Sequence, residues 1–207
     1  MKLKNGLLIA IEGVDGSGKS SLARNISSAL ETEYSTVLTK EPGGTELGKE
    51  IKKILLQQHG PVTPKTEFLL FAADRAQHFN DLILPRLTEG NIVISDRMGD
   101  SSICYQGYGR GLDIEMIKKI NHWATQGKKA DLTFFLEIDI EEAFKRIKGR
   151  KLDLTNFEEK EFMKKVQAGF KEIYKNDESV KIIDATLTEK ELTAKALKVI
   201  YERLNEN

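Results

Sequence analysis

The segment GVDGSGKSS at residues 13–21 limits the possible folds of this chain more than any other, because it directly follows the apolar run LLIAIE. A short, continuous apolar run that ends in glycine is typical of a buried strand in a parallel sheet. The glycines allow the backbone to curve so that successive N–H groups point toward an anion, and a helix that begins here adds the positive end of its dipole. The segment therefore predicts a strand, an anion-binding loop and a helix, in that order.

Gly13, Gly18, Lys19 and Ser20 stand at the defined positions of the pattern G-x-x-x-x-G-K-[ST]. In this pattern the lysine brings a positive charge to the β- and γ-phosphates of a nucleotide, and the last hydroxyl is a ligand for Mg²⁺. We therefore expect the chain to bind a nucleoside triphosphate together with Mg²⁺. The expected triphosphate-binding residues of the loop are Gly13, Val14, Asp15, Gly16, Ser17, Gly18, Lys19, Ser20 and Ser21.

Four further apolar runs (TVLT, NIVISD, DLTFFLEI and VKIID) are separated by segments with helical periodicity. Strands that alternate with helices indicate an α/β fold with a five-stranded parallel sheet and helices on both faces, because two parallel strands have to be joined by a crossover connection, which is usually a helix. In such folds ligands bind at the carboxyl ends of the strands. Glu41–Thr45 and Asp96–Arg97 follow the second and third runs, so we expect them beside the loop at residues 13–20.

The charge balance argues against several classes of partner. The 32 basic and 32 acidic residues give a net charge of zero, whereas proteins that bind nucleic acid or membrane surfaces normally have a basic surplus. We therefore expect neither as a partner. Cys104 is the only cysteine, which fits a reducing compartment. The apolar stretch Leu7–Ile11 is too short for a signal peptide, so the sequence predicts a cytoplasmic protein.

Triphosphate binding alone leaves the reaction open. A regulatory GTPase would need an Asn-Lys-x-Asp sequence, which this chain lacks. A small nucleotide kinase would need a second anion site and a lid that carries arginines. Phe71 and Arg75 are four residues apart on a predicted helix and suit a nucleobase, although such residues are more often a core aromatic and a surface ion pair. Another nucleotide or nucleoside kinase, or a nucleotide-dependent switch without transfer chemistry, remains an alternative.

Taken together, the motifs IEGVDGSGKSS, EPGGT, FAADR, SDR, YQGYGRG, KGRKLD and IDA occur in the order found in thymidylate kinases, and the chain resembles that family over essentially its whole length. The resemblance implies a P-loop kinase fold in a single domain, residues 1–207, with a short lid at about residues 147–157. It also implies transfer of the γ-phosphoryl group of ATP to dTMP, and assembly as a homodimer.

The resemblance further implies roles for individual residues. Asp15 would bind the 3′-hydroxyl of dTMP, Phe71 would stack on thymine and Arg75 would reach the ring carbonyl. Arg97 would contact the dTMP phosphate, and Tyr105 would lie under the sugar. The implied dTMP-binding residues are Asp15, Glu41, Pro42, Phe71, Arg75, Arg97, Ser102, Tyr105 and Gln106. The metal would be bound by Ser20, Asp96 and Glu41, and the adenine would lie beside Ile183, Asp184 and Ala185.

Members of this family carry a catalytic arginine either in the phosphate loop or in the lid. The loop position after Asp15 is Gly16 here, so the lid is expected to supply the arginine: Arg150 at the phosphates, with Arg146 covering the adenine. The implied catalytic residues are therefore Lys19, Arg97, Arg150 and Asp15. Three positions depart from the common pattern of the family: Lys40, Met98 and Lys151.

Overall fold

The computed structural model describes residues 1–56, 62–148 and 157–205. Its strands are β1 (Leu7–Glu12), β2 (Thr36–Lys40), β3 (Ile92–Asp96), β4 (Leu132–Glu137) and β5 (Val180–Asp184). They form one parallel sheet in the order β2-β3-β1-β4-β5. The predicted five-stranded parallel sheet is confirmed, and β1, which precedes the phosphate loop, lies at its centre.

Helices connect the strands. They are α1 (Lys19–Leu30), α2 (Glu46–Leu56), α3 (Pro64–His78), α4 (Leu84–Thr88), α5 (Gly99–Ser102), α6 (Ile114–Ala124), α7 (Ile140–Lys148), α8 (Phe157–Tyr174) and α9 (Glu189–Asn205). None of the helices in the described residues is sufficiently long and apolar to cross a bilayer.

Alternate residues of β1 enter different hydrophobic clusters, which shows that both faces of the sheet are covered. Leu7 and Ile9 belong to a cluster that includes apolar residues of α1 and α9, whereas Leu8 and Ala10 pack in a second cluster with Phe79. This division follows from the two-residue repeat of a strand. Because both faces are buried, β1 has to be apolar at consecutive positions, as the sequence pattern indicated.

Two π-helical segments interrupt the helices. The first π segment (Phe79–Ile83) joins α3 to α4, so the long helix predicted for this region continues through a locally wider turn. Pro85 follows directly and has no N–H for the ordinary helical hydrogen bond, which favours a local change of helical pitch. The second π segment (Ile103–Gly109) directly follows α5 and contains Tyr105 and Gln106.

Side chains cap the N-termini of α3 and α7. Thr63 accepts a hydrogen bond from the Thr66 amide at the start of α3, with Pro64 in the first turn. Asp139 Oδ1 accepts from the amides of Glu141 and Glu142 ahead of α7. These bonds satisfy amides that a helix leaves without a partner at its N-terminus. The α7 cap fixes the start of the helix that carries Arg146.

Candidate active site

The phosphate loop lies at the carboxyl end of β1 and requires glycine at two positions for different reasons. Gly16 has φ +82° and Gly18 has φ +95°, a region that side chains other than glycine rarely adopt. A Cβ atom on Gly16 would also lie 2.5 Å from the carbonyl oxygen of Ala143, whereas one on Gly18 would meet nothing within 4 Å. The loop at Gly16 therefore packs directly against the backbone of α7, which leaves no room for a side chain there.

Lys19, the first residue of α1, lies folded over the loop. Its Nζ donates a hydrogen bond to the carbonyl oxygen of Val14 at 2.8 Å, and the side chain is buried. Burial, with the nearby positive charge of Arg97, lowers the pKa of Lys19 to about 8, although Asp15 and Asp96 partly oppose this shift. The loop thus holds a desolvated ammonium group that gains from a new anionic partner.

Ser20 and Asp96 form the part of the site that suits a metal ion. The Ser20 hydroxyl donates to Asp96 Oδ2 at 2.5 Å. Asp96 Oδ1 is buried and has no hydrogen-bond partner among the described residues. No cluster of three or more His, Cys, Asp or Glu ligands occurs in the described ranges. This donor set fits Mg²⁺, which usually keeps several waters and binds through one or two carboxylates plus phosphate oxygens.

Arg97 connects the loop to the second π segment. Its guanidinium donates to Asp15 Oδ1 at 2.6 Å, to the Tyr105 hydroxyl at 3.1 Å and to the carbonyl oxygen of Gly13 at 3.0 Å. The Tyr105 hydroxyl in turn donates to Asp15 Oδ2 at 3.2 Å. Burial opposes ionisation of Asp15, but Arg97 and Lys19 outweigh this effect and hold the pKa of the carboxyl below its usual value. Three of the predicted site residues therefore meet at the mouth of the phosphate loop.

Arg75 lies in a buried polar network, so its environment differs from that of an arginine in a surface ion pair or of one that faces a base. Only 1% of Arg75 is exposed. Its Nε donates to Glu41 Oε2 at 2.9 Å, its Nη1 to Asn121 Oδ1 at 2.7 Å and its Nη2 to Ser102 Oγ at 3.1 Å. His78 Nδ1 lies 3.1 Å from the other oxygen of Glu41. The network ties the loop after β2 to α3, α5 and α6.

This network bears on two sequence predictions. Burial opposes ionisation of Glu41, but Arg75 and then the bond with His78 hold its pKa below the usual value. Both carboxylate oxygens of Glu41 already have protein partners, so the geometry does not support Glu41 as a direct metal ligand. The contact of Arg75 with a base stays a prediction, and in this structure its partners are protein groups.

The remaining residues expected around dTMP lie on α3, in the loop after β2 and in the second π segment. Phe71 is half-buried on α3, and Pro42 is half-buried in the loop after β2. Gln106 is buried and donates to Glu67 Oε1 at 2.7 Å. Tyr105 contacts Phe162 of α8 edge to face, with ring centroids 6.0 Å apart. Tyr105 also lies beside Arg97, with the guanidinium carbon 5.0 Å from its ring centroid, so an aromatic side chain adjoins the cation that an acceptor phosphate would need.

A cavity of about 410 Å³ lies on the opposite side of the phosphate loop, between α1, α7 and the start of α9, and Arg146 is among its lining residues. Arg146 Nη1 donates to the carbonyl oxygen of Ala185 at 2.9 Å. Asp184 Oδ1 accepts from the amide and hydroxyl of Thr186 and so closes the turn after β5. Arg150 and Lys151 lie outside the described residues.

Glu12 is a polar residue of this site that the sequence patterns did not indicate. Glu12 ends β1 and is fully buried, and it accepts hydrogen bonds from the Met98 amide at 2.7 Å and the Ser101 hydroxyl at 2.6 Å. Burial raises the pKa of Glu12 to about 7, although Arg97 acts in the opposite direction. A carboxylate in the last position of an otherwise apolar strand is the sequence signal that could have identified it.

Comparisons with known proteins agree with this geometry. A family model described as thymidylate kinase matches residues 11–196. A thymidylate kinase of Trichodesmium erythraeum is 40% identical and covers 97% of each chain. One of Halothermothrix orenii is 49% identical over 70% of each chain. The crystal structure of thymidylate kinase from Ehrlichia chaffeensis superposes with a TM-score of 0.76 at 30% identity, over 95% of this chain and 99% of that one. The chain belongs to the thymidylate kinase family.

Proposed function

We propose that this chain transfers the γ-phosphoryl group of ATP to the 5′-phosphate of dTMP, giving dTDP and ADP in the cytoplasm. The observation that carries the proposal is the cluster of Asp15, Arg97 and Tyr105 at the mouth of the phosphate loop. It offers a cation for a second phosphate and a carboxylate for a sugar hydroxyl, next to the loop that binds the triphosphate. Family membership supports the same pair of substrates.

The reaction needs positioning and charge stabilisation rather than proton abstraction. The attacking oxygen belongs to a phosphate that is already ionised, so no general base is required. Lys19 and the loop amides would bind the phosphates of ATP, and Arg97 would hold the acceptor phosphate close to them. Asp15 would accept a hydrogen bond from the 3′-hydroxyl of dTMP. Arg150, from the lid at about residues 147–157, would add positive charge at the transferred group.

Ser20 and Asp96 would hold Mg²⁺. Asp96 Oδ1, which has no hydrogen-bond partner among the described residues, would hold the ion through water, and Ser20 Oγ would be a direct ligand. When bound, Mg²⁺ supplies neutralisation of charge on the β- and γ-phosphate oxygens. Glu41 would act from a greater distance, because its carboxylate is paired with Arg75 and His78.

On the acceptor side, Phe71 would stack on thymine and Tyr105 would lie under the sugar, with Ser102 and Gln106 near the base. On the ATP side, Arg146, Asp184 and Ala185 would border the adenine in the cavity beside α7. Residues 1–207 would form one domain.

Assembly as a homodimer is part of the proposal. Several large apolar side chains on α2, α3 and α6 are exposed: Leu47, Ile54, Leu69, Met116 and Trp123. Trp123 is 80% exposed, and apolar groups grouped on neighbouring helices favour burial against another protein surface. Sedimentation should give about twice the chain mass, and Trp123→Glu should shift the protein toward a monomer. A wild-type protein that sediments as a monomer would contradict this part.

ADP release from ATP and Mg²⁺ tests the reaction, with dTMP, dUMP, UMP, dCMP, dGMP and AMP offered separately. Turnover should be fastest with dTMP and slower with dUMP. Arg97→Met should lose the acceptor-dependent rate while ATP still binds, and Arg86→Met, an exposed arginine paired with Glu89, serves as the matched control. Faster turnover with another acceptor would assign a different base, and no stimulation by any acceptor would exclude a kinase.

A further inference from the structure

The buried Glu12 carboxylate lies at the phosphate end of the sheet, and the proposed reaction gives it no task. Among the described residues it accepts no hydrogen bond from an amide of the phosphate loop or from Ser20. Its oxygens are instead both directed at the segment that follows β3: Oε1 accepts from the amide of Met98, and Oε2 accepts from the hydroxyl of Ser101. No ion pair of Glu12 within 4.0 Å occurs in the described part of the chain. A buried carboxylate without a direct cation is costly, so its partners are informative.

Arg97 is joined to both groups that Glu12 binds, because it directly precedes Met98 and its guanidinium donates to the Ser101 hydroxyl. Its backbone is unusual. It has φ +72°, one of two residues other than glycine with a positive φ among those described. Such a conformation is strained for an arginine and persists only where surrounding bonds enforce it. The amide of Arg97 donates to the carbonyl oxygen of Ile11 at 3.0 Å, and its own carbonyl oxygen accepts from Ser95 Oγ at 2.7 Å.

Glu12 completes this set of bonds from the far side. By accepting from the Met98 amide, it fixes the peptide group that immediately follows Arg97. By accepting from Ser101 Oγ, it orients a hydroxyl that itself accepts a hydrogen bond from Arg97 Nη1 at 2.9 Å. One carboxylate therefore restrains both the backbone and the guanidinium of Arg97. The guanidinium, so held, lies 2.6 Å from Asp15 at the mouth of the phosphate loop.

We propose that Glu12 is a positioning residue that holds Arg97 in its left-handed conformation, with the guanidinium directed at the phosphate of the acceptor. The assignment of that phosphate to dTMP rests on the proposed function. Glu12 touches no substrate in this assignment and acts only through Met98, Ser101 and Arg97. Its contribution is therefore largest for the acceptor phosphate and smaller for the nucleoside part of the acceptor, which meets Arg97 only through Asp15 and Tyr105.

Glu12→Gln tests the proposal, because glutamine keeps the shape and one acceptor oxygen but loses the charge and the second acceptor. Calorimetric titration should compare dTMP with thymidine, which has the same base and sugar but no phosphate. We expect dTMP affinity to fall about ten- to hundredfold in this variant, while thymidine affinity falls clearly less, because thymidine lacks the phosphate that Arg97 binds. The KM for ATP should be unchanged. Ser101→Ala should give the same pattern, and the double variant should be no worse than Glu12→Gln alone.

Glu137→Gln is the matched control, since Glu137 ends the neighbouring strand β4 but pairs with Lys171 instead; both affinities should keep their wild-type values. A parallel loss of dTMP and thymidine binding in Glu12→Gln would overturn the proposal, because it would indicate a structural role. Unchanged binding of both would also overturn it.

A crystal structure of free Glu12→Gln separates this proposal from the proposed function. We expect Arg97 to leave the positive-φ region and its guanidinium to leave Asp15. If Arg97 keeps both features, the positioning role is wrong whatever the acceptor is. If the wild-type protein neither binds nor phosphorylates dTMP, the proposed function fails, and the conformation of Arg97 in this crystal structure still decides the positioning role.

Discussion

Replacing Lys19 by methionine should make the ligand-free protein more stable, although Lys19 is assigned to catalysis. The pKa of Lys19 is about 8 in the folded protein against an ordinary 10.5, chiefly because the ammonium group is buried. A shift of this size means that the charged form costs the free protein about 3 kcal/mol. Methionine fills a similar volume without the charge. It also removes the bond to the Val14 carbonyl oxygen, a loss of about 1–2 kcal/mol.

The net expectation is that Lys19→Met raises the free energy of unfolding by about 1–2 kcal/mol at neutral pH. The gain should shrink as the pH rises. Above the folded pKa of about 8 the native lysine loses its proton, while the unfolded chain keeps its proton up to 10.5. The unfolded state therefore binds more protons in this window, and wild-type stability rises with pH. At about pH 9.5 the wild-type protein should recover about 2 kcal/mol relative to the variant.

Urea unfolding followed by circular dichroism, without nucleotide or Mg²⁺, measures both quantities at pH 7 and at about pH 9.5. Lys198→Met, an exposed lysine on α9, is the control and should change stability by less than about 0.5 kcal/mol at either pH. If Lys19→Met unfolds at lower urea than the wild-type protein at pH 7, or if the difference in stability does not change with pH, then Lys19 is not a desolvated charge in the free enzyme.

Substitutions at four further residues test other parts of the site. Gly18→Ala should lose about 1–2 kcal/mol of stability from its positive φ alone. Gly16→Ala should lose more and bind ATP more weakly, because its Cβ would also meet the Ala143 carbonyl oxygen. Equal losses of stability in urea titrations of the two variants would contradict the packing argument. Arg75→Ala should destabilise the protein by about 3–5 kcal/mol, since it leaves Glu41 buried without its main cation; a loss below about 1 kcal/mol would show that the network carries little energy. Asp139→Ala should cost about 1 kcal/mol through the cap of α7 and raise the KM for ATP, whereas Asp139→Asn, which keeps an acceptor oxygen, should do neither.

The strands and the phosphate loop could be predicted because their signals are local. LLIAIE and NIVISD are continuous apolar runs, as burial on both faces of a parallel sheet requires. The glycines of the loop indicate a backbone conformation with positive φ, which other residues rarely adopt. The order of the strands across the sheet, by contrast, depends on which helices pack on which face, and no single segment encodes it.

The polar network could not be predicted, because each of its bonds joins distant positions. Arg75 pairs with Glu41, 34 residues before it, and with Asn121, 46 residues after it. From its own helix, Arg75 is indistinguishable from an arginine in a surface ion pair. Glu12 was overlooked for the same reason, since its partners follow β3. Burial of a charge depends on tertiary contacts, which a periodicity analysis does not contain.

The second π segment has a consequence for the length of the chain. A π turn holds one residue more than an α turn, and here that extra residue lies in the stretch that carries Tyr105 and Gln106. Deleting one residue between Ile103 and Gly109 would leave only enough residues for an α turn, so the side chains of this stretch would be redistributed around the helix axis. The contacts of Tyr105 with Arg97 and of Gln106 with Glu67 therefore depend on the number of residues in this segment as well as on which residues they are.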